Sequence, residues 1–507
     1  MLNQGVGSWP ARRARISPHR TAVVHDDRSW TYAEVHDRVV RLARALRGLG
    51  VRHGDRVAYL GPNHPAFLET LFAVGALGAV FVPLNFRLAA PELSFILDDS
   101  DADVLVWAPE VADTVVAIRD QTRVRHLVAV AGTEPGSAGY EDLIAGATPE
   151  PIDEPVGLDE LCMIMYTSGT TGRPKGAMIT HGNITWNTYN VLVDVDVAAA
   201  EVTLVSAPLF HTAALNMTCL PTFLKGGTSV LMSAFDPDRT FELIEKHGVT
   251  WMFGVPAMFL AMCQSPRWPR AYLSSLRSLM CGGAPVPETL IRTYQERGLT
   301  FIQGYGMTEA SPGALLLRAE DSATRIGAAG NPMFFTDTRV VHPDMTDITA
   351  GEKGEIVVQG PNVMQGYWRR PDETRRAFSD GGWFHSGDAA TVDEDGYAHV
   401  VDRIKDMIIS GGENIYPAEV EEIIYQHPAV SEVAVIGVPD QKWGEVGRAV
   451  VVLQPGVTAA SEEILGFLDG KLARYKIPKS VTVTDALPRT ASGKVLKARL
   501  RDLHGHG

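Results

Sequence analysis

Apolar positions along the chain switch between two rhythms, and the alternation itself predicts the architecture. Thr31-Tyr-Ala-Glu34 has the spacing of a helix capping box, and Val35, Val39, Leu42 and Leu46 then fall on one helical stripe that Gly48 and Gly50 close. A strand follows at 57–60, a helix from about Pro65, a second strand at 79–82, a helix at 91–97 and a third strand at 104–107. Strand-then-helix alternation is the mark of parallel sheets joined by helical crossovers. The pattern resumes at 203–206, a strand that ends in Pro208-Leu-Phe-His211. Further strands at 250–253, 276–280 and 300–302, separated by helices at 240–247 and 288–296, run into turns rich in glycine and polar residues. In open α/β sheets, ligands sit beyond the carboxyl ends of the strands.

From about Gly327 the elements become shorter and purely β, which predicts a small β-barrel-like unit. After Asp402 the order changes again: helix 417–426, strands 432–438 and 448–453, helix 461–472 and strand 480–484. The predicted fold is α/β. A large N-terminal domain over 1–402 holds doubly wound mixed and parallel sheets, in two subdomains plus the β unit; a smaller α+β domain occupies 403–507.

Composition narrows the function. A chain of 507 residues with 45% hydrophobic and 21% charged residues has the ordinary mix of a soluble globular protein. Its formal net charge of −14 argues against a general nucleic-acid binder, which needs a basic face. The most apolar run, 71–84, is too short and too broken by glycine to span a bilayer. The N-terminus lacks the apolar core of a secretory signal. The four cysteines, Cys162, Cys219, Cys263 and Cys281, show neither CxxC nor zinc spacing, which fits a reducing, cytoplasmic setting.

The densest chemistry lies in Thr167-Ser-Gly-Thr-Thr-Gly-Arg-Pro-Lys-Gly176, directly after the apolar run 161–166. A buried strand feeding such a loop brings backbone N–H groups and hydroxyls around phosphate oxygens, and Lys175 adds a point charge. The string lacks the GxxxxGK[ST] of a Walker A loop, so the phosphate is not held as P-loop ATPases hold it.

With Pro208-Leu-Phe-His211, Gly282-Gly-Ala-Pro285, Tyr305-Gly-Met-Thr-Glu309, Gly354-Glu-Ile with Gly366-Tyr-Trp368, Trp383-Phe-His-Ser-Gly-Asp388, Asp402-Arg-Ile-Lys405 with Ser410-Gly-Gly-Glu-Asn414, and Pro488-Arg-Thr-Ala-Ser-Gly-Lys494, that loop makes eight pieces in order. Together they resemble the adenylate-forming superfamily of acyl-CoA synthetases, luciferases and peptide-synthetase adenylation domains, over nearly the whole chain. The resemblance implies an AMP-forming acid–thiol ligase. A carboxylate attacks the α-phosphate of ATP to give acyl-AMP and pyrophosphate, and a thiol then attacks the mixed anhydride.

What the resemblance implies for residues is specific. Thr167, Ser168, Gly169, Thr170, Thr171, Gly172 and Lys175 would hold the β- and γ-phosphates; Thr308 would donate to the α-phosphate, and Glu309 would bind Mg2+. Gly283, Ala284, Pro285, Gln303, Gly304 and Tyr305, with Gly306 and Met307, would line the adenine and nucleotide slot. Asp388 and Arg403 would contact the ribose, and Lys494 would stabilise the charge built up during adenylation. Lys405 would be the hinge about which the small, mobile domain turns. Gly411, Gly412 and Trp443 would then frame the pantetheine arm of CoA, with Lys476 and Lys479 near its phosphates.

His211 would gate an acyl pocket walled by Ala213, Asn216, Val255, Met307, Pro312 and Gly313. General-base work is not assigned to His211, because a carboxylic acid is already ionised at neutral pH. No aspartate follows Phe210, which disfavours an α-amino acid, and no arginine stands among the wall residues, which disfavours a dicarboxylate. A sizeable hydrophobic acid remains, whether straight-chain, aryl or polycyclic. ATP, Mg2+ and CoA are the implied co-substrates and metal, in a monomer or homodimer. The rival readings are an enzyme that loads the acid onto a carrier protein, a luciferase-like oxygenase, and a non-catalytic relative.

Overall fold

The computed structural model describes residues 2–132, 136–167, 174–284, 286–410, 413–469, 471–472, 474–490 and 493–505. Among them four sheets form. The first has seven strands in the order Ser137–Gly139, His126–Ala129, Ala102–Trp107, Arg56–Leu60, Val80–Leu84, Leu161–Thr167 and Lys175–Thr180, all parallel but the last pair. The second has nine, with Phe301–Gly306, Ser278–Gly282, Trp251–Gly254 and Val202–Val205 side by side and parallel at its centre. The large domain is thus mixed α/β, as the alternation predicts. The capping box at Thr31 and Glu34 is present with both reciprocal bonds, and helix Tyr32–Gly48 buries Val35, Val39, Leu42 and Leu46.

Register aligns the ends of the central strands. Gly254 lies opposite Cys281, and Gly282 opposite Gly304, so these strands present their carboxyl ends along one line. A methyl group on Gly282 would sit 2.6 Å from the Gly304 carbonyl oxygen, which is why side-chain-free backbone is needed there.

The third sheet is antiparallel and five-stranded, and packs its Val340, Ile356, Val358 and Ala390 against Ala314 and Leu315 of the second and Ala310 of the turn before them. The fourth, also five-stranded, begins at Ile408–Ser410 and has its own core of Ile415, Val420, Ile424, Val435, Val451, Ile464 and Leu468. One prediction fails in detail there. The helix expected over 461–472 stops at Gly466, where a residue with poor helix propensity lets the chain turn. Among the described residues no helix is long and apolar enough to cross a membrane.

Candidate active site

The carboxyl ends of the central strands, the rim of the third sheet and one hairpin of the small domain meet in a cleft. Asp388, on strand Trp383–Val392, stands opposite Arg403 on strand Ala398–Arg403. Its carboxylate takes Arg403 Nε at 2.6 Å on one oxygen and the Tyr305 hydroxyl at 2.6 Å on the other. Burial pushes the Asp388 pKa up, and Arg403 and the Tyr305 bond oppose that shift. The sequence motifs make Arg403 a ribose contact and Tyr305 an adenine platform. The structure brings both onto Asp388, so they also orient that carboxylate. Gly283 has φ +83°, Gly304 lies beside Gly282, and the Gln303 side-chain nitrogen is buried without a hydrogen-bond partner.

Glu309 sits in the short helical turn Thr308–Ala310 and accepts a hydrogen bond from Tyr367 Oη at 2.9 Å. Lys175 lies 5.4 Å from the centre of the Tyr367 ring and pairs with Glu373. Thr167 and Lys175 are cross-strand partners in the hairpin that carries the phosphate-type loop. Ser168, Gly169, Thr170, Thr171 and Gly172 of that loop lie outside the described residues, as does Pro285. Sequence reasoning misses Tyr367 and Glu373. Tyr367 lies within the Gly366-Tyr-Trp368 string, which signals a match but gives no role.

Lys494 enters this cleft on a hairpin from the small domain. Its N–H donates to Thr490 Oγ1 at 3.1 Å, and Arg489 donates to the Gly493 carbonyl at 2.7 Å. Behind the hairpin, Leu487 and Leu500, joined by Val495, pack on Ile436 and Val450 of the small sheet. A methyl on Gly493 would lie 3.4 Å from Val255 Cγ2, so the hairpin tip abuts the large domain. The Lys494 side chain is exposed at the open side of the cleft. The protein crowded around its ammonium lowers its pKa, and Arg403 lowers it further, while Asp388 and Glu309 pull it back up. The desolvated lysine and both carboxylates therefore share one field.

His211 closes the other side. Burial, then Lys494 and Arg87, hold its pKa down to about 3, so the ring is neutral at any physiological pH. Its Nε2 is buried without a hydrogen-bond partner, and its ring lies 4.6 Å from Phe210, which in turn meets Phe86 edge-on. Arg87, which no sequence pattern marks, brings a cation to this wall. Beyond His211 the chain forms the π-helical turn Ala213–Cys219, a geometry that often marks functional sites.

Ala213 and Val255 pack with Met217, Phe253 and Met333 in one apolar cluster. Asn216 is fully buried, donates to the Ser311 carbonyl at 3.2 Å and leaves its own oxygen unpartnered. A methyl on Gly313 would meet Met333 Sδ at 2.5 Å. Met307, in extended backbone, packs against the clusters that include Tyr305 and Phe384.

The residues expected at CoA lie elsewhere. Trp443 is 43% exposed at a turn whose Lys442 and Trp443 N–H groups both donate to Asp440 Oδ1 at 2.8 Å. Gly444 pairs with Ser410, and Gly411 and Gly412 lie outside the described residues. Lys476 is taken up by Glu419, and Lys479 is exposed. Lys405 is exposed in the turn Ile404–Asp406 between the domains. On one side of it Asp402 accepts the Ala418 N–H at 2.7 Å; on the other Asp406 pairs with Arg501 at 2.8 Å.

A cleft that pairs a buried carboxylate with a lysine delivered by a second domain is the layout of an adenylate-forming enzyme. The family model for AMP-binding enzymes matches residues 10–368, and that for the AMP-binding enzyme C-terminal domain matches 419–494. The chain belongs to the AMP-binding enzyme family. It is 60% identical over 505 residues, the full length of both chains, to a feruloyl-CoA synthase from Amycolatopsis sp. It is 42% identical to an indoleacetate–CoA ligase from Aromatoleum aromaticum, with 98% of each chain covered. Its fold superposes on ATP-bound MatB from Rhodopseudomonas palustris with a TM-score of 0.91 at 33% identity, covering 99% of both chains. Against apo MatB the TM-score is 0.79, with 98% and 99% covered. The whole chain thus superposes more closely on the ATP-bound form of that protein than on its apo form.

Proposed function

We propose that the protein is an ATP-dependent, AMP-forming acid–CoA ligase whose acid is an aryl-propenoic acid of the ferulate type. The observation that carries this reading is the place of Lys494, brought by the small domain among Asp388, Glu309 and His211 beside an apolar wall. The named activity of the relative at 60% identity supports the acid, and the apolar cluster of Ala213, Val255, Met217 and Phe253 suits an aromatic ring. The four cysteines are free, in keeping with the reducing interior of a cell.

In the first half-reaction a carboxylate oxygen of the acid attacks the α-phosphorus of ATP, and the bond to the bridging oxygen breaks as pyrophosphate leaves. Asp388, oriented by Arg403 and Tyr305, accepts the ribose hydroxyls. Lys494 faces both the acid and the α-phosphate and stabilises charge that grows in the transition state. Thr308 donates to the α-phosphate, and Lys175 leaves Glu373 for the outer phosphates. Neutral His211 takes no proton; it shapes the wall beside the carboxylate.

Glu309 is a hard carboxylate in the cleft, and one such ligand with substrate phosphates suits Mg2+. Bound there, the ion would neutralise phosphate charge. In the second half-reaction the CoA thiolate attacks the acyl carbonyl and AMP leaves, with the small domain turned about Lys405 so that Trp443 and its neighbouring glycines face the cleft.

The test is ferulate-dependent ATP–pyrophosphate exchange, followed by formation of feruloyl-CoA with CoA. Exchange at background level with ferulate and related aryl acids would sink the reading. Exchange without any thioester to CoA would move the acceptor to a carrier protein.

A further inference from the structure

Asn63 stands in the turn between strand Arg56–Leu60 and helix Pro65–Ala76, on the first large sheet. It is 3% exposed, and its side-chain hydrogen bonds run to backbone of the second large sheet. Its Nδ2 donates to the carbonyls of Val205 at 3.3 Å, Ala207 at 2.9 Å and Met232 at 3.1 Å, and its Oδ1 accepts from Leu209 N–H at 2.8 Å. The amide orientation is unambiguous, because carbonyls only accept and the Leu209 N–H only donates. Val205, Ala207 and Leu209 belong to the segment that leaves strand Val202–Val205 and ends at His211.

That segment needs an outside partner. Pro208 has no N–H, and the turn's own bond is His211 N–H to the Pro208 carbonyl at 3.1 Å. The rings of Phe86, Phe210 and His211 meet through packing alone, which resists compression but not lateral slip. A buried amide with two donors and one acceptor engaged fixes the segment laterally.

We propose that Asn63 is the positioning residue of the acid gate: it sets the backbone of 205–209 and through it the rings of Phe210 and His211. This role rests on the reading of His211 as a wall of the acid site. Asn63 touches neither acid nor nucleotide, and its effect therefore falls on one substrate. Aspartate cannot replace it, since a carboxylate would face three carbonyl oxygens. Alanine would take away the side-chain partner of the Ala207 and Met232 carbonyls and of the Leu209 N–H in a buried site, while the Val205 carbonyl keeps the Met232 N–H at 3.1 Å.

The test is Asn63→Ala in the full-length enzyme, assayed by pyrophosphate exchange with ferulate and ATP varied separately. The KM for the acid rises about tenfold or more, as a shifted binding wall requires, while the KM for ATP stays within about twofold. Joint movement of both constants, or movement of neither, would overturn the proposal. Amide exchange in the wild-type protein provides an arm that does not depend on the variant folding. The Leu209 amide should exchange about a hundredfold more slowly than exposed loop amides, and free exchange there would refute the tether. Should wild-type enzyme fail to activate any aryl acid, the functional reading falls, and the exchange arm still decides whether Asn63 holds the segment.

Discussion

Two turns of the small domain make an instructive contrast. The hairpin of Lys494 is anchored by Leu487, Val495 and Leu500 and reaches into the cleft, where Asp388, Glu309, Arg403 and Lys405 all act on its ammonium. The turn of Trp443 projects its indole into solvent with Lys442 4.6 Å from the ring centre. One is a charged group whose properties are set by a site it does not belong to. The other is a flat apolar surface on the outside. The Trp443 turn joins two strands of the small sheet, whereas the Lys494 hairpin lies outside that sheet and packs on it through Leu487 and Leu500. The difference teaches that one small domain holds two chemically unlike turns, one in the field of the cleft's charged groups and one facing solvent.

The strongest way to break that comparison is Lys494→Ala. Acyl-AMP formation should fall about 10²- to 10³-fold, the range for loss of one transition-state donor, while thioester formation from supplied acyl-AMP stays within about threefold. Equal loss of both would mean that the lysine serves both steps. Trp443→Ala should do the reverse on a smaller scale, slowing thioester formation about tenfold at limiting CoA and leaving pyrophosphate exchange unchanged.

The pH profile sharpens the contrast further. Burial and Arg403 lower the Lys494 pKa, so its charge is lost as pH rises at a point below the ordinary lysine value of 10.5. The alkaline limb of acyl-AMP formation should sit there, and Lys494→Arg should push it upward, arginine remaining charged. His211, held to about 3, should contribute no inflection near neutrality. The smallest effect is expected at the joint. Asp402→Ala removes the carboxylate that accepts the Ala418 N–H across it, and should slow acyl-AMP formation about two- to fivefold, in line with loss of one helix-end bond. An unchanged rate would show that this contact does not hold the present arrangement.

Much of this molecule is legible in its sequence, because strand ends and turns declare themselves locally. The alternation of elements, the capping box at Thr31 and the strings around Glu309, Asp388 and Lys494 are short-range signals. What stays hidden is long-range or depends on side-chain direction. Nothing near Asn63 announces bonds to backbone some 150 residues away. Tyr305 reads as a stacking surface, and only the fold shows its hydroxyl on Asp388. Met307 sits between two motif residues, and only the fold shows it packed on the cluster of Ile356, Val358 and Ala390. Lys476, read as a phosphate contact, is engaged by Glu419 across 57 positions, a pairing no local pattern encodes.

Val255 follows Gly254 at the end of a central strand and lies next to two glycines. A methyl on Gly283 would come within 3.7 Å of one of its γ-carbons, and one on Gly493 within 3.4 Å of the other. Its isopropyl group is thus a shared keystone, wedged between the Gly283 turn, the Gly493 hairpin and the apolar cluster of Met217, Phe253 and Met333. A change of size at this one position would be transmitted to all three neighbours together.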